Sequence, residues 1–225
     1  MSKKLDDVVI TSALRTPIGT YKGSLKDLSA DKLGALAIKE VIHKSNVKPD
    51  QIDEVIMGHV LTSGLGQNPA RQASIHAGIP VSKPAYIVNQ VCGSGLRSIV
   101  SGFQSIKLEK NKIIVSGGQE NMSRAPHSLF YREYKKLDES KLVDTMIKDG
   151  LTDSFNHYHM GVTAENIAEK FEISRDEQDN FALNSQKKTQ DASNKKKIKD
   201  EIIKLQINKE KENIIIDNNE HQRND

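Results

Sequence analysis

Residues 85–96 read Ala85-Tyr86-Ile87-Val88-Asn89-Gln90-Val91-Cys92-Gly93-Ser94-Gly95-Leu96, and the order of residue types in this stretch decides the fold class. Residues 85–89 form a short apolar run of the β-branched and aromatic kind and read as a strand. From Gly95 to about residue 107 the pattern reads as a helix. Cys92 sits in the turn between them and is the only cysteine among 225 residues. A strand feeding a helix through so short a turn is the building unit of an α/β layer.

The turn is also a good seat for a nucleophile. A helix N-terminus presents unpaired backbone N–H groups and the positive end of the helix dipole, which favour a thiolate. Gly93, Ser94 and Gly95 keep bulk away from the sulfur, so a carbonyl can approach and find backbone donors for its oxyanion. The competing reading is a buried structural cysteine, the usual fate of a lone one.

On either side of this unit the same alternation continues. Residues 7–13 (DVVITSA) are a β-branched run and read as a first strand; residues 15–28, with Pro17, Gly19 and Gly23, read as a loop. Ser29 is an N-cap for a helix reaching about Ser45, with Leu33, Leu36, Ala37 and Val41 on one face. Residues 53–60 form a strand, Gly64 to Asn68 a turn, and Pro69 opens a helix that Gly78 and Pro80 close. Residues 112–116 (KIIVS) make the fourth strand. The order βαβαβαβ over about 110 residues predicts a layered α/β domain with a sheet at least partly parallel.

Beyond Asn121 the alternation stops, and residues 121–161 show few strand signals. Two helices follow, near residues 163–171 and 175–194, the second opened by a Ser174 cap with Glu177 three residues on. The last stretch mixes Lys, Ile and Asn without a predicted helix or strand.

Composition narrows the function. Net charge is +3, and the ten Lys/Arg of residues 187–225 are interleaved with eight Asp/Glu, so the tail reads as a charge-balanced surface and not as a nucleic-acid site. No apolar run approaches the ~20 residues needed to span a bilayer, and no apolar stretch follows Lys3-Lys4, so neither a membrane span nor a signal peptide is expected. One cysteine fits a reducing compartment, and a cytoplasmic location is the default expectation.

The stretch from Asn89 to Leu96 resembles the nucleophile motif of thiolases, in particular acetyl-CoA acetyltransferases. Four further segments resemble the same family in the same order: Arg15-Thr16-Pro17-Ile18-Gly19, Gly66-Gln67-Asn68-Pro69-Ala70-Arg71-Gln72, Gly117-Gly118-Gln119-Glu120-Asn121-Met122-Ser123, and Tyr158-His159-Met160-Gly161 with Thr163-Ala164-Glu165-Asn166. The resemblance implies residues 1–120 as an incomplete thiolase N-terminal α/β domain and 121–225 as an incomplete coenzyme A-binding loop domain, with the chain stopping before the C-terminal domain.

It further implies ping-pong acyl transfer through acyl-Cys92, with acetyl-CoA and coenzyme A as substrates and no separate cofactor. His159 and Met160 match residues lining the pantetheine and acetyl end of the pocket. Leu151 matches a coenzyme-contacting position, and Arg223 matches an arginine that pairs with the adenine–phosphate end. A metal at His157 and His159 is not expected, since no carboxylate or Cys cluster stands beside them. A homo-oligomer, dimer or tetramer, is expected because the family pairs the strand equivalent to residues 85–88 with its copy.

The family also uses a second cysteine as α-proton base, a Gly-His-Pro segment, an Asn-Glu-Ala-Phe segment, and a strand returning from the loop domain to the first sheet. None of these sequence segments occurs in the 225 residues. The chain alone is therefore expected to be inactive unless a C-terminal thiolase half joins it. The alternative is a non-catalytic fragment that binds coenzyme A or a sister subunit. A Cys-His hydrolase is a weaker third reading, because no matching His segment accompanies Cys92.

Overall fold

Three parallel strands form the centre of the computed structural model, which describes residues 7–108, 110–133, 138–209 and 212–221. They are β1 (Glu54–Gly58), β2 (Ala85–Val88) and β3 (Ile114–Gly118), in the spatial order β2-β1-β3. Between them run α1 (Ala30–Lys44), α2 (Pro69–His76) and α3 (Ser94–Lys107). Val55 and Met57 point to one face, where they pack with Ala35, Ile38 and Ile42 of α1 and Ala70 and Ala73 of α2. Ile56, equally buried, alternates to the other face. There its register partner Ser116 lies against Gly102 of α3. The sheet is thus sandwiched between helices, the layered arrangement read from the sequence.

Local chemistry places the ends of these elements. Asn68, at φ 44°, caps α2 by accepting the Arg71 amide, and Pro69 supplies the first helical residue. Asp53 accepts the amides of Lys112 and Ile113 at 2.8 and 3.0 Å, pinning the start of β1 beside β3. These two backbone donors, Ile113 first, lower its carboxyl below the ordinary carboxylate value. α1 begins after Ser29 as expected, but the Ser29 side chain makes no capping bond. Its buried face differs in part: Leu33 is buried as expected, but Ala35, Ile38 and Ile42 also go inward, while Leu36 is exposed. Both rows have helical spacing, and contact with α2 and β1 selects the row that turns inward.

The expectation of a first strand at residues 7–13 is not met. Those residues form no strand, Val9 and Ile10 are 71% and 76% exposed, and the nearest ladder contact is a single bridge between Arg15 and Ile202. A strand exists only through its neighbour's N–H and C=O groups. Here a cleft of about 630 Å³ separates residues 8–16 from β3, with Ile99 and Phe103 of α3 also lining it. Among the described residues nothing pairs with the far edge of β3.

The remainder is irregular at first. A two-residue pair joins β4 (His127–Ser128) to β5 (Val143–Asp144), and a π-helical turn spans Met146–Leu151. α4 (Met160–Lys170) and α5 (Arg175–Asn194) follow. In α5 both reciprocal bonds between Ser174 and Glu177 are present, as the sequence predicted. The last stretch is not structureless. β6 (Leu205–Lys209) and β7 (Glu212–Ile216) form an antiparallel hairpin, and Ile203 and Leu205 are buried against Leu25 and Leu33. The apolar alternation there is diluted by Lys and Asn, which hid a strand whose inner face is decided by the N-terminal loop it covers.

Candidate active site

β2 ends at Val88, and the chain turns into α3 through residues 89–93. The Asn89 side chain accepts the Val91 amide at 2.9 Å, and Gly93 N–H donates to the Gln90 carbonyl at 3.1 Å. Val91 has φ 47°, a left-handed conformation that costs a β-branched residue about 1–2 kcal/mol. Ser94 closes the turn: its hydroxyl accepts the Gln90 amide at 2.8 Å and donates to the Val91 carbonyl at 2.6 Å, which its own amide also reaches at 3.0 Å. Cys92 is carried on this turn and is exposed. That excludes the buried structural cysteine.

The turn rests directly on sheet backbone. A Cβ on Gly58 would lie 2.4 Å from the Ser94 carbonyl carbon, and one on Gly118 would lie 3.4 Å from the Gly95 Cα. Ser98 Oγ reaches the carbonyl oxygens of Gly95 and Gly117 at 2.7 and 2.8 Å. Glycines at the C-terminal ends of β1 and β3 thus let the first turn of α3 sit against the strands. The next residues are tied down by Glu120, whose carboxylate accepts the Val60 amide at 2.9 Å and stands 3.3 Å from His59 Nε2.

A second group of residues lies on the loop before α4. Thr152 and His159 form an antiparallel bridge, and Asp153 closes the turn between them by accepting the amides of Asn156 and Phe155. These bonds, Asn156 first, hold the Asp153 carboxyl below its ordinary value. His159 caps α4: its Nδ1 accepts the Gly161 amide at 3.0 Å. With Nδ1 occupied as an acceptor, the neutral ring carries its proton on Nε2, which can donate to a ligand. Met160 is the first residue of α4, and Leu151 ends the π-helical turn one residue before the bridge. Leu151, His159 and Met160 are therefore gathered by one closed loop. Its Gly150 faces Leu61, three residues past the end of β1, where a Cβ would be 3.5 Å from Leu61 Cδ2.

A model of "Thiolase, N-terminal domain" matches residues 8–225. The chain belongs to the thiolase family. Among its relatives, an acetyl-CoA acetyltransferase of Paracoccus denitrificans is 48% identical over 96% of this chain and 55% of its own length. A cytosolic acetyl-CoA acetyltransferase of Rattus norvegicus is 46% identical over 94% of this chain and 53% of its own length. The crystal structure of the Bacillus anthracis acetyl-CoA acetyltransferase superposes with a TM-score of 0.92 at 35% identity, covering 96% of this chain and 55% of that one. The chain spans about half the length of the curated relatives it matches.

Within this thiolase N-terminal domain, two features had escaped the sequence. One is the Val91–Ser94 clasp; nothing in a sequence marks a valine for a left-handed backbone. The other joins the far ends of the chain. Glu220 accepts the amides of Thr20 and Ser24 at 2.7 and 3.0 Å and the Thr20 hydroxyl at 3.1 Å, and Asn219 accepts from Arg15 and the Ile18 amide. The Ser24 side chain, then the Thr20 and Ser24 amides, bring the Glu220 carboxyl down to about 2. The Ser24 hydroxyl itself is not aligned with a partner, so the amides are the contacts the geometry supports best. Arg223, expected at coenzyme A, lies outside the described residues.

Proposed function

We propose that this chain is the acyl-accepting half of an acetyl-CoA C-acetyltransferase, with Cys92 as the residue that takes the acyl group. The observation that carries this reading is the exposed Cys92 on a clasped turn at the start of α3, inside a chain of the thiolase family. The Cys92 thiolate attacks the thioester carbonyl of acetyl-CoA; the C–S bond to coenzyme A breaks, coenzyme A thiolate leaves and takes a proton, and an acetyl thioester remains on Cys92. Backbone N–H groups at the helix start are the natural donors for the tetrahedral oxyanion. Because acyl-Cys92 is itself a thioester, the acyl group stays activated for the next acceptor. That acceptor is the α-carbanion of a second acetyl-CoA, giving acetoacetyl-CoA; the reverse direction is thiolysis.

On this reading coenzyme A thioesters are substrates and no cofactor is needed. His159 Nε2–H, Met160 and Leu151 face the pantetheine and acyl portion, and Arg223 pairs with the adenine–phosphate end. Residues 1–120 form the N-terminal α/β domain and 121–225 the loop domain over the coenzyme. The setting is cytoplasmic and the assembly a homo-oligomer; among the described residues no helix is long and apolar enough to cross a membrane.

A second reading, a coenzyme A-binding fragment without turnover, is favoured by one fact: the 225 residues contain a single cysteine, so no second cysteine can serve as α-proton base. The two readings separate cleanly. Incubation with acetyl-CoA followed by intact-mass analysis is expected to show one acetyl group, absent in Cys92→Ala. Acetoacetyl-CoA cleavage by the chain alone is expected to be undetectable. Binding of coenzyme A without any acetyl transfer would leave the binding fragment as the correct reading.

A further inference from the structure

We propose that Ser94 is a positioning residue for the nucleophile: its buried hydroxyl holds Val91 in a strained backbone conformation, and that turn sets Cys92 in its reacting position. The inference rests on the reading of Cys92 as the acyl acceptor. Ser94 is assigned no contact with substrate or sulfur; it acts through the turn.

Four observations converge on it. Val91 adopts φ 47°, which a β-branched residue keeps only when its surroundings hold it there. The Ser94 hydroxyl spends its proton on the Val91 carbonyl and a lone pair on the Gln90 amide, so it ties the Val91–Cys92 peptide to the Asn89–Gln90 peptide and brackets the strained residue. Ser94 is only 3% exposed, so water cannot stand in for its hydroxyl. Finally, Ser94 cannot retreat, because its carbonyl carbon is pressed against Gly58 of β1. Cys92 lies between the clasped Val91 and the clasping Ser94. If the clasp opens, Val91 relaxes toward negative φ and the Cys92 side chain moves with the peptide it follows.

A nearby serine provides the control. Ser98 is fully buried and its hydroxyl proton lies within reach of two carbonyl oxygens, those of Gly95 and Gly117, yet it makes no hydrogen bond to residues 89–93. Ser94 and Ser98 should therefore resemble one another in what they do for stability and differ in what they do for Cys92.

The test uses the full chain, in which Cys92 is the one cysteine, so labelling by iodoacetamide and acetylation by acetyl-CoA both report on it by intact mass. Ser94→Ala is expected to slow both reactions by about tenfold, the scale of one ordinary hydrogen bond. Ser98→Ala is expected to stay within about twofold of wild type, and Ser94→Thr, which keeps the hydroxyl, to recover most of the loss. The decisive comparison is Val91→Gly with and without Ser94→Ala. Glycine adopts positive φ without being held, so removing the clasp in that background is expected to change the rate by less than about twofold.

Wild-type reactivity in the folded Ser94→Ala protein would overturn the proposal. So would a loss from Ser94→Ala that is equally large with and without Val91→Gly. If Ser94→Ala alone does not fold, the proposal can still be overturned: a Val91→Gly/Ser94→Ala protein about tenfold slower than Val91→Gly would show that Ser94 acts otherwise than by holding Val91. Failure of the acyl-acceptor reading looks different. It would show as alkylation without any acetylation in wild type, whatever Ser94 does to the alkylation rate.

Discussion

Gly58 shows how one residue can govern the site without touching a ligand. A Cβ there would meet three backbone atoms of Ser94 and Gly95 within 2.4–2.6 Å, and backbone cannot swing aside. Gly58→Ala is expected to cost about 3 kcal/mol, the upper end of overpacking penalties. Gly34→Ala makes a still shorter contact, 2.1 Å, but with Gln119 Oε1, the far end of a flexible side chain and an atom that holds no hydrogen bond. It should cost far less, and in a helix it gains propensity. Urea unfolding of the two variants checks this: equal losses would mean that α3 does not press on β1 as described. Cys92 was readable because residue type and position coincide at a strand-to-helix turn. Val91 was not, since its strain comes from partners on both sides of it.

Among the elements, α5 was the most readable, because Ser174 and Glu177 satisfy each other's backbone donors within one turn of chain. Ser174→Ala is expected to cost about 1 kcal/mol of local helix stability. None of α5's residues is buried, so the loss should appear as fraying and leave the global unfolding temperature nearly unchanged. Hydrogen exchange of the amides of residues 175–178 is the measurement; unchanged protection would show that the cap contributes nothing. Opposite cases are residues 7–13, read as a strand but unpaired, and β6–β7, unread but formed. Both turn on partners that local sequence does not contain.

For the whole molecule, the Glu220 contacts join residues about 200 positions apart, and their pH dependence has a definite sign. The folded carboxyl is held at about 2 against an ordinary 4.5. Its contribution is therefore complete above pH 4.5 and drains away as pH falls toward 2. Urea midpoints measured from neutral pH into this window should converge for wild type and Glu220→Gln, with wild type higher at neutral pH. Parallel curves would show that Glu220 does not hold the hairpin end to the N-terminal loop. Apolar surface makes the second prediction at this scale. Leu96, Ile99 and Phe103 of α3 are exposed, Phe155 and Phe181 are 89% and 79% exposed, and β3 keeps an unpaired edge among the described residues. Such surface is costly in water and recruits partners. Sedimentation velocity is expected to show dimers or larger species; a monomer at high concentration would contradict this.

The sequence alone determined what depends on near neighbours: the alternation of strands and helices from residue 53 to residue 118, the Pro69 start of α2 and the capped start of α5, and a lone cysteine at a helix N-terminus in a family-like motif. Each of these is encoded within a few residues, where turn chemistry, capping and periodicity act. Tertiary structure alone decided the rest. Which face of α1 is buried depends on α2; whether residues 7–13 form a strand depends on what lies beside β3; the Glu220 contacts bring residues 18–24 and 219–220 together; and the first turn of α3 seats against Gly58 of β1. In every such case the partner groups sit on other elements, and desolvation makes their hydrogen bonds and contacts count only once the elements have met.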